Sequence, residues 1–150
     1  MSIERAYRRL APIIGENSIE SLAAAVEVDR IRRAWKPDDV RVVLMAESHV
    51  WTSIQELKCR VHAPGQLETG YARFVYCLGY GEPSILSSVV EKNHGTPQYW
   101  RLFHDCLLGP ANTYNHLTRR EQNSDRRIQA KVELLSQMHE AGLWLIDASM

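Results

Sequence analysis

Apolar positions along this chain follow two patterns: helical spacing in several stretches and nearly unbroken runs in two. Ile3, Tyr7, Leu10 and Ile14 recur at helical spacing and predict a short amphipathic helix that Gly15 ends. Ile19, Leu22, Ala23, Val26, Ile31 and Ala34 predict the buried side of a second helix over residues 19–35. Asn17, with Glu20 three residues on, comes close to a capping box at its start. Thr96-Pro97 joins an N-cap residue to a proline at the first helical position, so a helix over 97–108 is expected, with Tyr99, Trp100, Phe103 and Leu107 inward. Ser124 or Asp125 opens a last helix through Glu140, with Ile128, Val132, Leu135 and Met138 on its apolar side.

The two apolar runs are residues 40–46 and 143–147. A continuous run suits a strand covered on both faces, as in a parallel sheet flanked by helices. Between them, residues 52–57 read as a short helix capped by Thr52 or Ser53, and 59–70 as a long loop. The aromatic-rich segment with Tyr71, Phe74, Tyr76 and Tyr80 predicts a strand over 73–78, and Glu82-Pro83 opens a helix to about Glu91. The chain reads as one α/β domain over residues 1–150, with N-terminal helices over 1–36 packed on it. Asp147-Ala148-Ser149-Met150 reads as the start of a further loop, the ending of a truncated chain or partial domain.

Composition changes this picture little. Hydrophobic residues are 45% and charged residues 24% of 150, which is globular rather than disordered. A formal net charge of zero argues against a strongly cationic nucleic-acid binder but leaves room for local basic patches. One such cluster, Arg30, Arg32, Arg33 and Lys36, either complements the negative end of a helix dipole or contacts phosphate. The three cysteines are widely spaced, which fits reduced thiols in a cytoplasmic protein. No apolar run approaches the ~18 residues that span a membrane. No metal-ligand spacing, phosphate-binding glycine loop or nucleophile elbow is present, so neither metal nor cofactor is expected.

Candidate chemistry gathers where the first run ends. Glu47, Ser48, His49 and Trp51 follow the strand, and in open α/β sheets the functional crevice lies outside the carboxyl ends of strands. Asp147 ends the second run. If the two strands are neighbours, Glu47 and Asp147 face one crevice and can divide acid, base or electrostatic roles. Alternatively, each caps a following turn. His49 is a candidate proton donor. Trp51, Phe74 and Tyr76 belong either to the core or to a stacking surface for a flat ligand, with Phe74 or Tyr76 the foremost candidate. Arg119 and Arg120, in the polar stretch 111–124, are candidates for contact with a nucleic-acid backbone.

The order of these elements resembles the uracil-DNA glycosylase superfamily over most of residues 40–147. In that family the first strand ends in a loop such as Gly-Gln-Asp-Pro-Tyr-His, and Ala46-Glu47-Ser48-His49 stands in its place. Thr96-Pro97-Gln98-Tyr99-Trp100 loosely matches the family's Pro-Ser-Leu-x-Asn helix, and residues 142–147 resemble its Gly-Val-Leu-Leu-Leu-Asn strand. Ser48 stands where several branches carry a water-activating Asp, His49 where Pro is usual, and Asp147 where the family has Asn. The resemblance implies a three-layer α/β/α fold with a small, mainly parallel central sheet. It implies a glycosylase-like hydrolase acting on a flipped or single-stranded nucleobase, without a cofactor. Glu47, His49 and Asp147 would then be catalytic, and Ser48, Trp51, Phe74 and Tyr76 would bind the base. DNA or a nucleobase-containing ligand is the implied partner. A non-catalytic nucleic-acid or ligand-binding module on the same fold, or an unrelated small-molecule α/β enzyme, remains the alternative.

Overall fold

The computed structural model describes residues 2–15, 18–47, 50–63, 68–110, 114–118 and 120–147. In chain order they form α1 (Ile3–Ile14), α2 (Leu22–Ala34), β1 (Val42–Ala46), β2 (Arg60–Val61), β3 (Thr69–Gly70), α3 (Pro97–Leu108), α4 (Ser124–Ala141) and β4 (Leu143–Asp147). The fold is mixed α/β: β1 and β4 pair in parallel, and β2 and β3 form a small antiparallel ribbon. No described helix is long and apolar enough to cross a membrane.

The end of α4 sets the register of the parallel pair. Gly142 takes φ +76°, and a Cβ there would lie 2.6 Å from the Asp39 carbonyl oxygen, so the turn requires glycine. Its carbonyl accepts from the N–H groups of Arg41 and Val42 at 2.8 and 3.0 Å. From there the strands run level, ending with Ala46 beside Asp147.

The two strands are not equally covered. On one face of β1, Val43 and Met45 are 48% and 72% exposed; on the other, burial rises from Val42 at 46% to Ala46 at 8%. The expectation of a strand covered on both faces fails here, because β4 is its only described strand partner and no described helix lies over Val43 and Met45. β4 is better buried. Its Trp144 indole N–H donates to the Arg32 carbonyl at 3.2 Å, which docks the end of α2 on the sheet.

The second helix differs from expectation in its start and its face. Ser21, not Asn17, caps it, its hydroxyl accepting from the Ala24 N–H at 3.2 Å, and Asn17 lies outside the described residues. Glu20 instead accepts from the Thr52 N–H at 2.5 Å, tying the helix to the segment after β1. Ala24, Ala25, Val28 and Ile31 are buried in place of Leu22, Ala23, Val26 and Ala34. That stripe has helical period too, and Arg32 falls within it; an ion pair to Asp147 makes its burial tolerable.

The strand expected at 73–78 does not form. Residues 71–82 are buried apart from Arg73, and their backbone closes on itself: Cys77 N–H to the Phe74 carbonyl, Tyr80 to Cys77, Glu82 to Gly79, all within 3.1 Å. Aromatic residues raise strand propensity, but in this segment they fill a core from successive turns. The Tyr76 hydroxyl accepts from the Leu145 N–H at 2.7 Å, a side chain serving as β4's hydrogen-bond partner. The helix expected from Pro83 to Glu91 shrinks to one turn, Pro83–Ile85. Its backbone pairs with β2 instead, through His62 N–H to Ile85 O and Ser87 N–H to Arg60 O. The short helix after Thr52 begins later, as one turn at Glu56–Lys58. Ser53 Oγ accepts from the Glu56 N–H, and the Glu56 carboxylate accepts from the Ser53 N–H, in reciprocal capping.

The two later helices match expectation closely. Trp100, Phe103 and His104 are buried on α3, and Ile128, Leu134, Leu135 and Met138 on α4. α4 also buries Arg127 and Lys131, which converge on Glu82 of the aromatic turn segment. Burial pushes the Glu82 carboxyl up, but hydrogen bonds from Arg127 and the charge of Lys131 outweigh it and hold the group below the ordinary carboxylate range.

Two stability outcomes follow from these contacts. Tyr76→Phe leaves the Leu145 N–H without its partner and lowers unfolding free energy by about 1–3 kcal/mol in urea titrations. Glu82→Gln removes the negative charge that two buried cations share and costs about 3–5 kcal/mol at neutral pH. Because the folded Glu82 value is depressed, its stabilisation is present above the unfolded value and lost as pH falls through the folded one. Denaturation midpoints of Glu82→Gln therefore vary less with pH on the acid side than those of the parent.

Candidate functional site

Beyond the carboxyl ends of β1 and β4 lies a small crevice of about 130 Å³. Ala46, Val50, Phe74, Thr96, Tyr99 and Asp147 are among its walls. Parallel pairing explains the placement: it brings two strand ends level, and α3 starts alongside them. The crevice is close in size to an engineered apolar cavity of about 150 Å³ that holds benzene, so it suits a single ring.

Each wall is held from behind. Phe74 meets Tyr76 edge to face at 5.4 Å and 87°, and Tyr76 stacks on Phe103 at 6.0 Å. Burial pushes the Tyr76 phenol up to about 12, so it stays neutral and keeps its bond to β4. Asp147 is buried and ion-paired with Arg32, whose guanidinium lies 5.7 Å from the Phe74 ring centroid. Thr96 is the N-cap of α3 but makes no side-chain cap bond, and its hydroxyl is buried without a hydrogen-bond partner among the described residues. A buried hydroxyl left unpaired is uncommon, and a ligand's polar edge would satisfy it. Phe74, Asp147, Arg73 and the Thr96 hydroxyl thus come together around this small space.

The residues singled out from sequence divide into three groups. Phe74 and Asp147 come together in the crevice. Glu47 follows Ala46 directly but is exposed and is not among the described lining residues. Strand alternation accounts for this: Ala46 shares the buried face with Asp147, and the next residue emerges on the other side. Tyr76 supports the crevice from behind rather than lining it. Trp51 is 53% exposed and lines a separate hollow of about 470 Å³ with Glu56, Arg73 and Glu91. Arg73 borders both spaces, with its guanidinium held by Glu56 at 2.9 Å and by Glu91. Arg120 lies at a third cavity, where it donates to the Asn115 side chain at 3.1 Å. Ser48, His49 and Arg119 lie outside the described residues.

Three participants escaped the sequence reading. Arg32 counted as one of a basic cluster that complements a helix dipole or contacts phosphate, and nothing local marks its pairing with a residue 115 positions away. Thr96 counted only as a cap. The Glu82 cluster left a legible trace: Arg127 and Lys131 stand four apart on one helix face, a like-charge spacing that is unfavourable unless an acid from elsewhere joins it. Among the described residues, no group of three His, Cys, Asp or Glu side chains could hold a metal ion. Compared with protein-family models, with curated proteins and with solved structures, the chain matches none.

Proposed function

We propose that this chain is a glycosylase-like hydrolase that takes a single nucleobase into the crevice beyond β1 and β4, on a divergent three-layer fold of the uracil-DNA glycosylase kind. The observation that carries the reading is the ring-sized crevice in which Phe74 and Asp147 meet at the level ends of two parallel strands. An extruded or single-stranded base would stack on Phe74, recovering part of the few kcal/mol spent in leaving its neighbours. Asp147 accepts hydrogen bonds only, so it favours a base edge presenting N–H donors. Arg32 fixes the orientation of that carboxylate, and the Thr96 hydroxyl completes the polar contacts. In hydrolysis the C1′–N bond breaks, a water oxygen bonds to C1′ and the departing base nitrogen takes up a proton. Glu47, which follows Ala46 in the chain, would turn toward the crevice to orient that water and stabilise the positive sugar of the transition state.

One observation favours a second reading, base binding without cleavage. Asp147 is engaged by Arg32, and Glu47 is solvent-exposed, where a charge stabilises a transition state less than in a dry site.

Chromatography of free base released from single-stranded oligonucleotides carrying uracil, hypoxanthine or other modified bases separates the two. The first reading expects base release that Glu47→Gln abolishes while oligonucleotide binding persists. Binding with no release selects the second, and an absence of both rejects the crevice as a base site. Phe74→Ala weakens base-dependent binding by the stacking contribution of about 1–3 kcal/mol, read by fluorescence anisotropy. Asp147→Asn, which adds a donor, shifts preference toward bases with mixed donor and acceptor edges, such as uracil.

A further inference from the structure

We propose that the cavity at which Arg120 lies, walled by the Tyr80–Gly81–Glu82 turn and by α3 and α4, binds a phosphate monoester carrying a flat ring, of nucleotide size. The cavity holds about 650 Å³, within the range of about 300–1,000 Å³ typical of small-molecule sites. Tyr80, Trp100 and Tyr114 supply its aromatic walls, and Arg101, Arg120 and Lys131 its cations.

Charge is the main argument. Glu82 is the one carboxylate among the described lining residues, and it is already neutralised. It accepts from Lys131 Nζ at 2.7 Å and from Arg127 Nη2 and Nε at 2.7 and 3.0 Å. All three residues are buried, and the Glu121 carboxylate also acts on Arg127. Lys131 is the cation of this cluster that borders the cavity. Counting only lining side chains, three cations against one acid leave two positive charges. Arg101 shares part of its charge with Asp105 at 3.5 Å. A phosphate monoester, at about −1.5 to −2 near neutral pH, matches that balance better than a carboxylate.

The cations are also placed by the aromatics. Lys131 Nζ lies 5.1 Å from the Trp100 ring centroid, and the Arg101 guanidinium lies 5.4 Å from that of Tyr114. Planar guanidinium forks suit phosphate oxygens, and the aromatic walls suit an organic body beside them. The turn that closes one side depends on glycine: a Cβ at Gly95 would lie 2.7 Å from the Tyr80 carbonyl oxygen, so only glycine allows the two loops to touch. Gln98 lines both this cavity and the crevice. The inference does not rest on the base-binding reading, since the residues that carry it are different ones.

Isothermal titration calorimetry on the intact chain tests it, with adenosine monophosphate as the probe. The monophosphate binds, while adenosine and inorganic phosphate each bind about tenfold more weakly or worse, reflecting the loss of charge-assisted bonds or of the ring. Arg120→Ala, at an exposed position, and Lys131→Met, which leaves the Glu82–Arg127 pair intact, each weaken binding about tenfold or more; thermal melts check that both stay folded. Phe74→Ala leaves this affinity unchanged. An oligonucleotide with hydroxyl ends, whose phosphates are all diesters, fails to displace the probe. The proposal is overturned if the monophosphate does not bind, or if neither cation variant weakens it. It is equally overturned if Phe74→Ala abolishes binding or the diester strand competes equally.

Discussion

The structure depends on the parallel pairing of β1 with β4. Two parallel strands alone make a weak sheet, because their hydrogen bonds are slanted and parallel sheets ordinarily rely on cover from both sides. Here the missing support comes from individual groups. Gly142 turns α4 straight into the pairing, the Trp144 indole holds the end of α2, and the Tyr76 hydroxyl takes the Leu145 N–H. The crevice exists because this pairing is in register: a shift of one residue would turn Asp147 toward the other face and empty the site of its carboxylate.

The polar groups inside the protein share one design. Arg32 with Asp147, Arg73 with Glu56 and Glu91, and Arg127 with Lys131 and Glu82 each join elements far apart in the chain. Buried ion pairs add little net stability, since desolvation offsets most of the attraction. They do penalise any packing that separates the partners. In a chain whose segment 71–82 is buried yet has neither helix nor strand, such pairs help select one arrangement among many compact ones. They also border the cavities, so the groups that specify the packing are the ones a ligand would meet.

The two candidate sites differ in what they offer. The crevice is small and is lined by one carboxylate, Asp147, one cation, Arg73, and the Phe74 ring, with Arg32 paired to the carboxylate. The larger cavity is roomy and cationic, with its carboxylate already matched. Both open beside the start of α3, where backbone N–H groups lack helical partners and favour negative charge. Gln98 stands between them.

How far the chain could be read from sequence varied with the kind of interaction involved. Local periodicity marked α1, α3 and α4 nearly to the residue, because helix caps and apolar stripes act over a few positions. The apolar runs marked β1 and β4, and their carboxyl ends marked the region of the crevice. Asp147 was legible as a site candidate for that reason, and Phe74 as one of two aromatic candidates, with Tyr76, for a stacking surface. The strand expected at 73–78 and the helix expected at 83–91 were not there: strand propensity and a proline start describe what a segment tolerates, whereas these two took their hydrogen bonds from local turns and from β2. Which side of α2 faces inward, that Arg32 meets Asp147, that the Thr96 hydroxyl is buried without a hydrogen-bond partner among the described residues, and that Arg127 and Lys131 close on Glu82 depended on tertiary structure alone. The sequence by itself determined α1, α3, α4 and the two parallel strands, through contacts a few residues apart. Only the tertiary structure decided the site, because its charges and ring are brought together across tens of residues by packing that no local pattern encodes.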